Sequence, residues 1–239
     1  MEIQPSPFDT EILGLRVGKL LVHGLTPPLL KTIRGVLAAS ELDLVLVRDT
    51  GFAFEQVHEL SWPGLQLADV KLTLSQPCAA GAAPRPGDFE VTSEVGAGDA
   101  KALLPLLEPI ALRSRFAHGF GEAAARRLYE RWLANCLNGT AADRCFVARR
   151  PGDPEPAGLV TVKKDGASGE LTLVATAASF RGQGVLRLLH GHASAYLTSQ
   201  GVARCAIATQ LANRDALRAY EALGFTVDGM VVDFHLRRL

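Results

Sequence analysis

The sequence predicts a soluble α/β protein in two unequal parts, and three observations lead there. Of 239 residues, 48% are hydrophobic and 6% aromatic, an Ala-, Leu-, Val- and Gly-rich balance that can pack a sizeable core and is unlike that of a disordered chain. Short apolar or alternating runs bounded by Gly, Pro and Asp take turns with segments of helical apolar spacing. One stretch, SQPCAAGAAPRPGD from Ser75 to Asp88, holds prolines, glycines and a run of alanines. It has little to bury and little to pair, so it reads as a linker. The chain therefore divides into a small N-terminal α/β domain (1–76), a linker (77–88) and a larger domain (89–239).

In the first part, PPLLKTIRGVLAA carries Leu29, Leu30, Ile33, Val36 and Leu37 at helical spacing. Leu42 to Val47 (LDLVLV) is a buried-strand run, and FEQVHELSW has the character of a short helix. ADVKLTLS alternates, with Val70, Leu72 and Leu74 on one face of a strand. After the linker, Asp99 is placed to cap AKALLPLLEPIAL, in which Pro105 and Pro109 are expected to kink or break the helix. EAAARRLYERWLANCLNG aligns Ala125, Leu128, Trp132 and Cys136, with Gly139 placed to end it.

RCFVAR, AGLVTVK and GELTLVAT read as three strands joined by Gly/Pro/Asp turns. The helix after RGQG buries Val185, Leu189, Ala193 and Leu197 and stops at Gly201. ARCAIATQ is a strand. Asn213 then caps a helix bearing Ala216, Leu217, Tyr220 and Leu223, with Gly224 at its end, and MVVDFHL closes the chain as a strand.

Composition narrows the function. Lys+Arg and Asp+Glu both number 25, so a nucleic-acid coat, which needs a basic excess, is not expected, while a local basic pocket remains open. Cys78, Cys136, Cys145 and Cys205 form no C-x-x-C pair, which fits reduced thiols in the cytoplasm rather than zinc or a disulfide framework. His190 and His192 fall on different helix faces, so no joint metal site is expected there. The start of the chain lacks the basic and apolar regions of a signal peptide, and no apolar run approaches the ~20 residues of a membrane span. A cytoplasmic protein without membrane contact is the expectation.

The stretch SFRGQGVLRLLHGHA places R-G-x-G between a strand and a helix. Glycines allow close backbone approach, and helix N-terminal amides carry partial positive charge, so the pattern suits an anion such as a phosphate. The Lys and Ser/Thr of a Walker loop are missing, and the third glycine of a dinucleotide fingerprint would fall at Arg187. Taken alone, RGQG also fits an ordinary strand-to-helix turn.

In order, GELTLVATAASFRGQGVLRLLHGHA and CAIATQLANRDALRAYEALGF resemble the acetyl-CoA-binding half of the GNAT N-acetyltransferases. That family has a strand, a loop R/Q-x-x-G-x-G/A, a helix, a strand and then N-x-x-A-x-x-x-Y-x-x-x-G-F. Arg181, Gly184, Asn213, Ala216, Tyr220, Gly224 and Phe225 match those places. Leu186 departs from the pattern, standing where the loop ends in a small residue. Within the family, the PFDTEILGLRVGKL opening, SRF at Ser114–Phe116, LYERWLANCLNG and ATQLANRDALRAY are similar to members that acetylate nucleotide-linked amino sugars of the TDP-fucosamine type.

The resemblance implies a GNAT fold, with a mixed, largely antiparallel sheet flanked by helices and preceded by the small N-terminal domain. It implies that Val174, Ala175 and Thr176 end a splayed strand whose backbone bonds the pantetheine of acetyl-CoA; the side chains fit an ordinary core strand equally well. Arg181 and the amides of Gly182, Gln183, Gly184, Val185 and Leu186 would hold the pyrophosphate, a solvated arginine being the alternative. Asn213 would both cap its helix and lie where CoA passes. Tyr220, two turns on along the same face, would be the general acid, although a tyrosine at that spacing also fits a core.

Arg115, by its bidentate geometry, is the candidate for an acceptor phosphate. Phe116 could stack on a base or sugar or pack in the core, and His118 could reach the acceptor or be solvated. The expected activity is acetyl transfer from acetyl-CoA to a primary amine, best a nucleotide-linked 4-amino-dideoxy sugar of polysaccharide biosynthesis. Attack is direct, with no metal and no acetyl-cysteine; no Glu or His stands out as the base. A peptide or other small-amine acceptor, or a regulatory module that binds CoA without turnover, are the rivals. A homodimer is left open.

Overall fold

The computed structural model describes residues 2–60, 62–78 and 88–239. Pro77, Cys78 and Asp88 of the expected linker belong to them, and the rest of the linker lies outside the described residues. The N-terminal part runs β1 (Gln4–Pro5), α1 (Pro7–Leu13), β2 (Val17–Val22), α2 (Pro27–Ala39), β3 (Leu44–Asp49), a 3-10 turn at Phe54–Leu60 and β4 (Leu65–Pro77). The remainder runs β5 (Glu90–Thr92), α3 (Ala100–Leu112), α4 (Arg115–Phe120), α5 (Glu122–Leu137), β6 (Arg144–Arg149), β7 (Pro156–Asp165) and β8 (Ser168–Thr176). It continues with α6 (Val185–Ser199), β9 (Arg204–Gln210), α7 (Arg214–Glu221) and β10 (Thr226–Arg237).

Among the described residues the strands form one ten-stranded sheet in the order β1-β2-β3-β10-β4-β9-β8-β7-β6-β5. Its pairings are antiparallel except β2 with β3 and β8 with β9, which is the mixed, largely antiparallel sheet expected. The last strand of the chain lies between two strands of the N-terminal part: β10 pairs with β3 on one edge and β4 on the other. β4 in turn pairs with β9. The sheet therefore runs without a break from one part of the chain into the other.

Strand alternation sorts the helices onto two faces. Val232, Phe234 and Leu236 of β10 pack with Leu30, Ile33 and Leu37 of α2. On the same face farther along, Cys205 and Ile207 of β9 and Leu74 of β4 meet Val185, Leu189, Ala193 and Leu197 of α6 and Tyr220 of α7. Asp233 and His235, the intervening residues of β10, point to the opposite face, where His235 packs beneath Phe116 and Phe120 of α4. α1, α3 and α5 cover that face as well, burying Leu103, Leu107, Leu128 and Leu133.

Two local expectations are corrected. α3 runs through Pro105 and Pro109 without breaking. Both prolines lie on its exposed side, where the carbonyls that lose their partners can be hydrated. Asp99 precedes α3 without capping it, because its carboxylate accepts a bond from the Gly96 amide at 3.0 Å. Arg115, Phe116 and His118 lie on α4, which Ser114 caps by accepting from the Ala117 amide.

Candidate active site

β8 and β9 begin as parallel neighbours and then part. Their register runs from Ser168↔Arg204 to Leu171↔Ile207 and stops, although β8 continues to Thr176 and β9 to Gln210. On its other edge β8 shifts register against β7 at the same point: Val162 pairs with Leu171 and Thr161 with Leu173, leaving Thr172 as a bulge. A bulge bends its strand and raises its twist. Its effect on packing is visible, since Leu171 faces the α6 core whereas Leu173 and Ala175 face α3 and α5. The diverging ends open a cleft of about 980 Å³.

The elements after β8 supply the anion-binding end. A 3-10 turn (Ala178–Phe180) leads to Gly182 and Gly184, whose φ values of +74° and +82° are left-handed. Gly184 is the N-cap residue of α6, so the amides of the first helical turn, from Val185 on, have no partner within the helix. A Cβ at either glycine would meet nothing within 4 Å. Glycine serves the backbone angle there and leaves the approach to the amides open. Leu186 is partly buried against the α6 core, and its amide still belongs to that turn.

Val174, Ala175, Thr176, Arg181, Gly182, Gly184, Val185, Leu186, Asn213 and Tyr220 all line this cleft, as do Arg115 and Phe116. Among the expected residues, Gln183 and His118 are not part of its lining. Gln183 is exposed, accepting from Arg150 Nη2 and donating to the Ser179 carbonyl, both at 2.7 Å. His118 is exposed, with Nδ1 3.0 Å from the Ser114 carbonyl oxygen. Asn213 accepts from the Ala216 amide at 3.4 Å and donates from Nδ2 to Thr209 Oγ1 at 3.1 Å. It thereby ties the start of α7 to the end of β9 that has parted from β8 but stays paired with β4.

Tyr220 is 6% exposed and packs on Phe225. Burial pushes its phenol up to about 12, so the ring carries its proton at neutral pH. Phe116 is buried with Phe120 and His235, and the Arg115 guanidinium lies 4.9 Å from its ring centre. Arg115 is ion-paired to Asp233, and its Nε is buried without a partner.

The same face of the cleft holds charged residues that the sequence reading did not select. Asp69 and Lys71 of β4, Arg48 of β3 and Glu170 of β8 line it beside Tyr129 of α5. Asp233 stands directly opposite Asp69 on one side and Arg48 on the other. Burial and the neighbouring Arg115 pull Lys71 down to about 8, despite Asp233 at 2.8 Å. Burial raises Asp69 and Glu170, and lifts the Tyr129 phenol to about 12. Alternation in ADVKLTLS signalled that Asp69, Lys71 and Thr73 share a face, but a single strand cannot show what its polar face looks upon. Among the described residues no group of three or more His, Cys, Asp or Glu could hold a metal, and no helix is long and apolar enough to cross a membrane.

Comparisons with known proteins agree with this geometry. The model of the acetyltransferase (GNAT) family matches residues 107–225. No curated protein matches the chain. Among solved structures, a conserved protein of unknown function from Staphylococcus epidermidis is similar at TM-score 0.67 and 14% identity, over 97% of this chain and 89% of that one. A GCN5-related N-acetyltransferase from Sphaerobacter thermophilus is similar at TM-score 0.53 and 15% identity, over 82% of this chain but only 60% of the other's length. The PaiA N-acetyltransferase of Thermoplasma acidophilum, solved with coenzyme A, is similar at TM-score 0.50 and 14% identity, over 64% and 100%. These likenesses show the fold, and the family match marks residues 107–225 as a GNAT acetyltransferase domain.

Proposed function

We propose that the protein transfers the acetyl group of acetyl-CoA to a primary amine on a small molecule. The observation that carries this is the end of the β8–β9 ladder at the Thr172 bulge, followed directly by the Gly182–Gly184 turn and α6. Val174, Ala175 and Thr176 stay paired with β7 on one side, and the edge that β9 has left suits the amides of a pantetheine arm. Arg181 and the first-turn amides of α6 suit its pyrophosphate. When bound, acetyl-CoA supplies an activated thioester, which a neutral amine can attack directly. Tyr220, buried in the cleft lining and protonated, is the acid of this reading, donating as the sulfur leaves. The four free cysteines are not among the residues lining the cleft, which favours direct attack over an acetyl-cysteine route.

For the acceptor, the reading is an amine on a nucleotide-linked 4-amino-dideoxy sugar. It is supported by the sequence likeness at Ser114–Phe116 and α5, and by a cleft roomy enough for a sugar beside the cofactor arm. Arg115 and Phe116 form the wall on that side. The test is release of coenzyme A thiol from acetyl-CoA in the presence of nucleotide amino sugars and plain amines. No thiol release with any amine, although acetyl-CoA binds, would leave a binding module in place of an enzyme.

A further inference from the structure

We infer that the N-terminal strands β3 and β4 complete the acceptor pocket, and that the acceptor carries, besides its amine, an anionic group held by Arg48 and Lys71. This rests on the acetyl-transfer reading for the position of the amine, but the anion site itself is a property of residues outside the family match at 107–225.

Three cations converge on one carboxylate. Arg48 Nε lies 3.2 Å from Asp233 Oδ1, Lys71 Nζ lies 2.8 Å from Oδ2, and Arg115 also pairs with Oδ2. Both oxygens of Asp233 are thus in use, and with Asp69 directly opposite Asp233 the three cations and two carboxylates retain one positive charge in excess. Arg115, with its side chain 12% exposed, is spent as the inner brace. Arg48 is half-exposed and lines the cleft, and among the described residues its ion pair is to Asp233 through Nε, which leaves its terminal nitrogens without an ion-pair partner there. Burial first, and then the charges of Arg115 and Arg48, depress the Lys71 ammonium.

The remaining carboxylates complete the pattern. Asp69 and Glu170 line the cleft, and among the described residues neither has an ion-pair partner within 4.0 Å. Three cations and three carboxylates balance, yet they are spread over the floor of the cleft. Glu170 stands on β8 beside the point where the strands part, whereas the cations gather on β3, β4 and around Asp233 of β10. A neutral set of separated charges fits a zwitterion better than a plain amine.

The separation also limits its length. From Glu170 on β8 to Lys71 on β4 is two strand spacings, about 10 Å. An α-amino acid, whose carboxylate is two bonds from its amine, is too short. The amine and the anion must be held apart by a spacer at least the length of a sugar ring. A phosphate or a carboxylate would serve the same donors.

The experiment compares matched acceptors by kcat/KM. One arm sets a thymidine-diphosphate-linked 4-amino-dideoxy sugar against the free amino sugar; the other sets 8-aminooctanoate against octylamine. At least one anionic member should exceed its neutral partner about tenfold or more, and Arg48→Gln should bring that ratio close to one. A second measurement needs no turnover: calorimetric binding of thymidine diphosphate and of octanoate to protein saturated with coenzyme A. One of the two should bind, and Arg48→Gln should weaken it about tenfold, which corresponds to about 1.4 kcal/mol. Acetyl-CoA affinity checks that the variant is folded. Ratios near one in both arms of the parent, or ratios and binding unchanged in Arg48→Gln, overturn the anion site. Anion binding without any acetyl transfer would instead retire the enzymatic reading and leave the site standing.

Discussion

Tyr220 and His235 are both buried aromatic groups with displaced proton affinity, and their surroundings give them opposite consequences. For Tyr220, burial raises the phenol to about 12, which keeps the hydroxyl protonated throughout the neutral range. Tyr220→Phe preserves the ring against Phe225 and deletes the proton. Its kcat should fall by about 10²–10⁴, the usual share of a positioned acid, with acetyl-CoA affinity little changed. Near-parental kcat under conditions where chemistry limits the rate would make Tyr220 a core residue only.

His235 is 1% exposed, and neither ring nitrogen has a hydrogen-bond partner among the described residues. Burial, reinforced by Arg115, holds it down to about 4, against ~6.5 in an unfolded chain. Between those values the unfolded state binds a proton that the native state refuses. Stability is therefore full above pH ~6.5 and declines as pH falls toward 4, by on the order of 3 kcal/mol for this group. His190 and His192, also depressed, add smaller losses in the same window. The carboxylates Asp43 and Asp233, held low by their partners, act at more acidic pH. His235→Leu should flatten the urea-derived stability curve between pH 6.5 and 4.5. An equal slope in parent and variant would place the acid sensitivity elsewhere.

At the scale of elements, the turn between β8 and α6 is the sharpest junction of sequence, geometry and chemistry. Gly184 takes φ +82° with open space where a Cβ would stand. Gly184→Val therefore costs mainly backbone strain in the free protein, about 1 kcal/mol, and places a branched side chain where the pyrophosphate must approach. Acetyl-CoA should bind about tenfold or more weakly, roughly 1.4 kcal/mol. Identical dissociation constants for parent and variant would sink the assignment of this turn.

The junction was readable because its signals are local. R-G-x-G, the Asn213 cap and the apolar stripe of α6 each need only a few residues of context. Helix α2 at Pro27–Ala39 and strand β6 at Arg144–Arg149 coincide with PPLLKTIRGVLAA and RCFVAR for the same reason. What escaped was non-local. The Thr172 bulge exists only relative to β7, and the insertion of β10 between β3 and β4 depends on register between residues as far apart in the chain as Ser75 and Thr226 or Leu44 and Arg237. Arg48, Asp69, Lys71 and Asp233 become a cluster through that register alone. The prolines of α3 misled because proline chemistry forbids a hydrogen bond, whereas position decides whether the loss matters.

At the scale of the molecule, the decisive fact is that the C-terminal strand is a shared wall. β10 contributes Val232, Phe234 and Leu236 to the core under α2, yet it follows α7, which helps to form the cofactor cleft. Unfolding the N-terminal part would strip β10 of both neighbours, β3 and β4, and would deprive β9 of β4. The two parts should therefore melt as one cooperative unit. The chain has two tryptophans, and they report on opposite sides of this wall. Trp62 packs against the α2 core with Arg34 5.1 Å from its ring centre, and Trp132 of α5 lines the cleft. Trp132→Phe leaves Trp62 as the sole indole, and Trp62→Phe leaves Trp132. In each variant the fluorescence midpoint should coincide with the midpoint from far-ultraviolet circular dichroism. Saturating acetyl-CoA should raise both, by about 2.7 kcal/mol at a hundred times its dissociation constant. The informative case is Trp62, which is not among the residues lining the cleft and can feel the ligand only through the sheet. A Trp62 transition that comes early and does not move with acetyl-CoA would show that the N-terminal strands fold apart from the cofactor site, and the shared sheet would then be a contact rather than a common core.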